Sequence, residues 1–176
     1  MRVVILAGGE GSRIGGNKPQ RLLGGVTLLE RALRKARRWS DEVLVAAREG
    51  GDIRDDPAIE GPLGGVAAAL ALGGDVLTIP CDMPFLPDDL PEWLFSRASA
   101  TLAASGGRLH PVCGLWKAAA REALPAYLGT GRRSLTGFAE AVGYEAVNWP
   151  VEPFDLFFNI NDEADLARAE AFLRSR

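Results

Sequence analysis

Cysteine is scarce in this chain: 176 residues hold two, Cys81 and Cys113, with no Cys-x-x-Cys pair. That pattern supports neither a disulfide framework nor a zinc site, and two buried thiols of a reducing compartment are expected instead. Histidine is rarer still, with His110 alone. No run of 18 apolar residues occurs, so no membrane-spanning helix is expected. The N-terminal apolar run is too short for a secretory signal and is broken at Gly8; the cytoplasm is the expected compartment. Net charge is only −3, which gives no global field to recruit nucleic acid or an anionic membrane. A phosphate ligand would have to be held by local cations. Internal repeats and low-complexity tracts are also missing.

What remains is an ordinary globular composition, 47% hydrophobic and 24% charged. A chain of this length reads as one domain, residues 1–176, able to bury roughly 70% of its unfolded surface. It is organised around residues 3–20, VVILAGGEGSRIGGNKPQ. Val3, Val4, Ile5 and Leu6 form a continuous apolar run, the mark of a strand buried on both faces in a parallel sheet. A glycine-rich loop follows, carrying Gly8, Gly9, Gly11, Gly15 and Gly16 with Arg13 and Lys18 among them. Exposed N–H groups plus two cations suit a polyphosphate. Two familiar phosphate loops fail here. The dinucleotide fingerprint G-x-G-x-x-G would need glycine at Ile14, and the P-loop would need Ser or Thr after Lys18, where Pro19 stands.

Farther along, Thr27 and Glu30 form a capping box that opens a helix to about residue 38. Leu29, Ala32, Leu33 and Ala36 make its apolar stripe, and Arg31, Arg34, Lys35, Arg37 and Arg38 a solvated or partner-docking face. A strand is expected at 43–47 and a polar, irregular segment at 48–60. Pro62 at a first helical position starts a helix to about 72, in which Gly64 and Gly65 allow close approach to the sheet or to a ligand. A strand at 75–79 runs into Pro80-Cys81-Asp82-Met83-Pro84. A helix is expected from about 88 to 97, then a hairpin of 101–104 with 109–116 around Gly106-Gly107. Helices near 117–127 and 134–141, a strand at 144–149 and a last helix to about 172, capped by Asn161 or Asp162, complete the pattern. Alternating strands and helices in the first half indicate an α/β fold with a mostly parallel sheet. Ligands of such sheets bind beyond the carboxyl ends of the strands, where Gly8 and Asp82 both fall. Asp82 lies past an apolar strand in a segment with no other charge, and a carboxylate there is costly unless it is paired or holds a metal.

The loop LAGGEGSRIGG with Lys18 resembles the nucleotide loop of nucleotidyltransferases. Together with GPLGG from Gly61, PCDMPFLP from Pro80, HPV from His110 and FNINDEADL from Phe158, it resembles the molybdenum cofactor guanylyltransferases over nearly the whole chain. The resemblance implies a Rossmann-like, doubly wound fold with helices on both faces, of the nucleotide-diphospho-sugar transferase type. It implies transfer of GMP from GTP to molybdopterin with release of pyrophosphate, Mg²⁺ (or Mn²⁺) as cofactor, and transient contact with cofactor-supplying or molybdoenzyme partners.

Residue by residue, the resemblance implies nucleotide contacts from Leu6, Ala7, Gly8, Gly9, Gly11, Lys18, Asp55 and Asp82, with Asp56 nearly as good a match as Asp55. Arg13, Lys18 and Asp82 are the implied catalytic set, and Asp82 the metal ligand. The family's acidic residue before the lysine is Asn17 here, and its asparagine after the second strand is missing, with Ala46 and Ala47 in that region. On the pterin side the implied residues are His110, Arg132 with Arg133, Asn159 and Asn161. Each also fits a plain structural role: a loop histidine, surface arginines, a loop and a helix cap. Rival expectations are a molybdopterin cytidylyltransferase or sugar-phosphate enzyme, and a nucleotide-binding adaptor without catalysis. Leu6-Ala7-Gly8-Gly9 favours the guanylyl branch, since cytidylyl relatives carry LAAG. Retention of Arg13, Lys18 and Asp82 speaks against the adaptor.

Overall fold

The computed structural model describes residues 1–8 and 18–175. Strand β1 (Arg2–Leu6) is the apolar run read from the sequence, and it lies in the middle of a sheet. It pairs in parallel with β4 (Val43–Ala47) on one side and β6 (Val76–Pro80) on the other. A short β2–β3 hairpin (Leu22–Leu23 with Val26–Thr27) stands apart as its own two-stranded sheet. Beyond β4 lies β5 (Ile53–Arg54), also parallel. Beyond β6 the direction reverses: β8 (Arg108–Trp116) is antiparallel both to β6 and to β7 (Ala100–Ser105). The edge strand β9 (Tyr144–Trp149) is parallel to β7. The seven-stranded order is β5-β4-β1-β6-β8-β7-β9.

Side chains of a strand point alternately to opposite faces, and the two halves of the core follow that alternation. Val3 and Ile5 of β1 join Leu77 and Ile79 of β6 against helix α1 (Leu28–Ala36) and the short α3 (Leu90–Leu94). Val4 and Val76 face the other way, onto Ala69 of α2 (Pro62–Ala71). Trp116 continues that second layer with Leu135, Phe138 and Ala139 of α5 (Leu135–Val142) and Tyr127 of α4 (Ala120–Gly129). Helices therefore cover both faces of a mostly parallel sheet. The last helix, α6 (Glu163–Arg174), packs outside this sandwich with Leu23, Leu28, Phe85 and Ile160.

The sequence signals hold with a few differences. Thr27 caps α1 by accepting the Glu30 N–H at 3.1 Å. The hairpin turns on Gly106 and Gly107, whose positive φ values of 55° and 76° are what a two-residue turn of this hand requires. Asp162, not Asn161, caps α6, its carboxylate accepting the Asp165 N–H at 2.8 Å. The helix expected over 88–97 is shorter, with Asp89 as its N-cap. Asp88 instead pairs with Lys35 and Arg38. At the other end Ser96 accepts the Ala98 N–H and pairs with Thr101, a local alternative that competes with helical bonding. The segment expected to be irregular contains β5, too short to leave a periodic signal.

Phe138 is fully buried and stacks on Trp116 with ring centroids 5.7 Å apart. Replacing it with alanine removes a large buried ring from the α5–sheet contact. Phe138→Ala is expected to lower stability by about 3–5 kcal/mol, read as a lower urea midpoint at unchanged slope.

Candidate nucleotide site

Parallel pairing sets the floor of the site. Leu6 of β1 lies opposite Pro80 of β6 and Ala46 of β4, so three strands end at one level. The chain leaves β1 through Ala7 and Gly8, with Ala7 N–H donating to the Ala46 carbonyl at 2.8 Å. It leaves β6 through Cys81 and Asp82, with Cys81 N–H reaching the Leu6 carbonyl at 3.3 Å. The 154–162 segment is tied down here as well, because Ile160 N–H donates to the Asp82 carbonyl at 3.0 Å.

Four side chains then converge. Lys18 Nζ lies 2.5 Å from Asp82 Oδ2, 3.4 Å from Asn159 Oδ1 and 3.3 Å from Asn161 Oδ1. Both charged side chains are largely shielded, 12% and 17% exposed, so the attraction is screened less than at a surface. The second oxygen of the carboxylate, Asp82 Oδ1, is buried and has no hydrogen-bond partner among the described residues.

A cleft of about 200 Å³ opens beside this cluster. Asp82 and Pro80 line one end; Arg48, Asp55 and Gly61 line the other, with Ile59, Pro62, Leu6 and Val112 as apolar walls. Asp55 follows β5, and its backbone N–H donates to the Ala47 carbonyl at 3.0 Å. A Cβ on Gly8 would fall 2.2 Å from Asp55 Oδ2, and one on Gly65 would fall 3.2 Å from Asp55 Oδ1. The carboxylate is thus wedged between two glycines, one from the β1 loop and one from α2. Its Oδ1 is buried without a partner among the described residues. Burial pushes the Asp55 carboxyl above its ordinary range, and the positive charge of Arg48 partly counters this. Asp56 turns elsewhere, accepting the Ala58 N–H at 2.9 Å. Gly64 and Gly65 serve close packing: a Cβ at Gly64 would meet the Ile59 carbonyl at 2.7 Å, and one at Gly65 would meet Leu6 at 2.8 Å.

The chain's two unpartnered buried carboxylate oxygens among the described residues both belong to residues lining this one cleft. Oxygen donors of this kind suit a hard divalent cation. No group of three or more Asp, Glu, His or Cys gathers among the described residues, so a cation here would need oxygens from a ligand as well.

Of the residues singled out in the sequence, Leu6, Gly8, Asp55 and Asp82 line the cleft, and Ala7 lies at its β1 end. Lys18, Asn159 and Asn161 close on Asp82. Gly9, Gly11 and Arg13 lie outside the described residues. His110 takes no part in the Lys18 cluster. It is buried on β8, its Nε2 is 2.8 Å from Ser105 Oγ, and Ser105 donates to Asp155 at 3.0 Å. With the serine proton given to Asp155, the imidazole is left to donate from Nε2. Its ring stacks on Phe157, with 5.1 Å between centroids. Burial pulls its pKa down, against the pull of Asp155 upward. His110 therefore ties the β7–β8 hairpin to the segment that carries Asn159 and Asn161. Arg132 does not reach the cluster in this arrangement; it pairs with Glu140 at 3.1 Å and lies over the Tyr127 ring. Arg48 was not singled out by any motif, since it sits in a polar stretch without periodicity.

Comparison with known proteins gives the family and the fold. The profile of the MobA-like NTP transferase domain matches residues 3–142. A molybdenum cofactor guanylyltransferase of Cereibacter sphaeroides is 39% identical over 187 aligned residues, covering 97% of this chain and 96% of the relative. One from Nitrobacter hamburgensis is 36% identical, covering 95% and 91%. Among solved structures, molybdopterin-guanine dinucleotide biosynthesis protein A of Archaeoglobus fulgidus superposes with a TM-score of 0.81 at 26% identity, over 100% of both chains. The 2-C-methyl-D-erythritol 4-phosphate cytidylyltransferase of Thermus thermophilus gives 0.68 at 25% identity, over 97% and 98%. With a sheet that ends in a Gly8–Asp82 cleft and a family profile spanning most of its length, the chain belongs to the MobA-like NTP transferase family and is a nucleotidyltransferase.

Proposed function

We propose that this chain transfers GMP from GTP to molybdopterin, making the guanine dinucleotide form of the molybdenum cofactor and releasing pyrophosphate. The observation that carries the reading is the shielded Lys18–Asp82 pair at the strand ends, with one Asp82 oxygen unpartnered among the described residues. The names of the relatives point to the same substrates. No helix among the described residues is long and apolar enough to cross a membrane.

In this reading an oxygen of the pterin's terminal phosphate attacks the α-phosphorus of GTP. A new P–O bond forms as the bond to the bridging oxygen of the β-phosphate breaks, and pyrophosphate leaves with that electron pair. A phosphate monoester is largely ionised near neutral pH, so no general base is required. Catalysis then rests on positioning and on charge stabilisation. Lys18 neutralises charge on the phosphates, and Asn159 and Asn161 hold its ammonium in place. Arg13 contributes a second cation. Asp55 holds the nucleoside end against Gly8. Asn159 and Asn161 also border the pterin side, with Arg132 and His110 as further pterin-side candidates. Nucleotidyltransferases of this family typically need a divalent metal. Magnesium (or manganese) held by Asp82 would supply further neutralisation of the phosphates when bound.

A thermal melt with GTP, CTP or ATP, each with and without Mg²⁺, tests the reading. GTP with Mg²⁺ should raise the midpoint by several degrees: ligand at about 100-fold its Kd adds roughly 2.7 kcal/mol. A larger shift with CTP would move the protein to the cytidylyl branch, and no shift with any of the three would favour a non-catalytic role.

Three substitutions sharpen it. Asp82→Asn should abolish transfer while circular dichroism still shows a cooperative melt, because Lys18 keeps its two asparagine acceptors; metal-dependent turnover within a few-fold of wild type would rule out the assigned role. Lys18→Ala should cost on the order of 10²–10³ in turnover. Gly8→Ala should push the Asp55 carboxylate aside, since the new Cβ claims its place. Calorimetry is expected to show nucleotide affinity reduced at least about tenfold, a loss comparable to one good polar contact.

A further inference from the structure

Arg48 is the cation at the end of the cleft opposite Asp82. It follows β4, and β4 is two strands from β6 in the sheet order. At about 4.8 Å per strand that places the chain at Arg48 on the order of 10 Å from the chain at Asp82. A nucleotide with phosphates beside Lys18 and Asp82 would carry its base to that distance, between Arg48 and Asp55. The walls there suit a flat ring: Ile59 and Pro62 are apolar and belong to the same cleft. The two polar groups beside them are opposite in kind. Arg48 offers only donors, and an ionised Asp55 offers only acceptors.

Guanine presents the matching pattern. Its O6 and N7 are acceptors on one edge, which a guanidinium fork can take together. Its N1–H and 2-amino group are donors on the adjoining edge, which suit a carboxylate. Adenine offers a donor where O6 stands, and cytosine presents a donor and no acceptor pair on the corresponding edge. We propose that Arg48 is a specificity-determining residue, its guanidinium taking O6 and N7 of the guanine whose N1 edge faces Asp55. The assignment rests on the guanylyl reading of the site.

Analogues that delete one contact at a time provide the test. 7-Deaza-GTP lacks the N7 acceptor, and ITP lacks the 2-amino donor. Calorimetric Kd values would be measured for GTP, 7-deaza-GTP and ITP with Mg²⁺ on the full chain, as wild type, Arg48→Gln and Arg48→Lys. Arg48 is exposed at the rim, so both variants should fold. Wild type is expected to bind GTP about tenfold or more tighter than 7-deaza-GTP, within the range of a bidentate arginine–guanine contact. In Arg48→Gln that preference should fall to within about twofold, while the preference for GTP over ITP persists. Arg48→Lys should recover part of the affinity for all three nucleotides but not the N7 preference, because the fork is gone. An unchanged N7 preference in both variants overturns the assignment. So does an equal loss for GTP and 7-deaza-GTP that leaves their ratio intact, which would put Arg48 on the phosphates. If wild type bound none of the guanine nucleotides, the guanylyl reading would fall, and this assignment with it.

Discussion

A carboxylate taken out of water has to be compensated, and the architecture around the cleft follows from where Asp82 sits. The parallel pairing of β1 with β6 carries it to the end of a strand buried along its whole length. Desolvation there would be costly for a lone charge. Lys18 answers it from the β1 side, while Asn159 and Asn161, more than 140 residues away in sequence, hold the ammonium from the other. The backbone bond from Ile160 to the Asp82 carbonyl fixes the distance between these segments. Packing of α6 with Leu23, Phe85 and Ile160 is what keeps that distal segment in place.

The opposite end of the cleft depends on small residues. Gly8 and Gly65 leave a slot for Asp55, and Gly64 lets α2 lie against the Ile59 carbonyl. Side chains at these positions would drive the carboxylate out or lift the helix from the sheet. Two acids are thus presented to one cavity by different means. Asp82 is held by a counter-ion, and Asp55 is held by shape, with the positive charge of Arg48 acting on it as well. An asymmetric site of this kind suits a substrate whose two ends differ, one strongly anionic and one flat and polar at its edges.

Much of this was legible in the sequence because the signals were local. The apolar run of β1, the Thr27 cap, Pro62 at the head of α2 and the Gly106-Gly107 turn each carry their own physics within a few residues. Asp82 stood out as a charge in an otherwise uncharged segment, and Lys18 as a cation of the glycine-rich loop. What was not legible is tertiary. That Lys18 meets Asn159 and Asn161 depends on how α6 docks. Asp55 and Asp56 could not be separated, since the choice turns on which face each takes after β5, and a two-residue strand gives no phase to count from. The same polar stretch hid Arg48. The cap of α6 fell to Asp162, and this leaves Asn161 free to turn toward Lys18.

The cysteine beside Asp82 adds a chemical property to this arrangement. Cys81 is buried, and burial, with the adjacent carboxylate, pushes its thiol up to about 12. Cys113 is fully buried too, raised in the same way, with its sulfur 3.6 Å from that of Met83. A thiol reacts with oxidants and electrophiles as its thiolate, and neither group supplies one at neutral pH. The thiol next to the protein's most important carboxylate is therefore held in its less reactive protonated form. Peroxide or an alkylating agent reaching the cleft would meet no ready thiolate there.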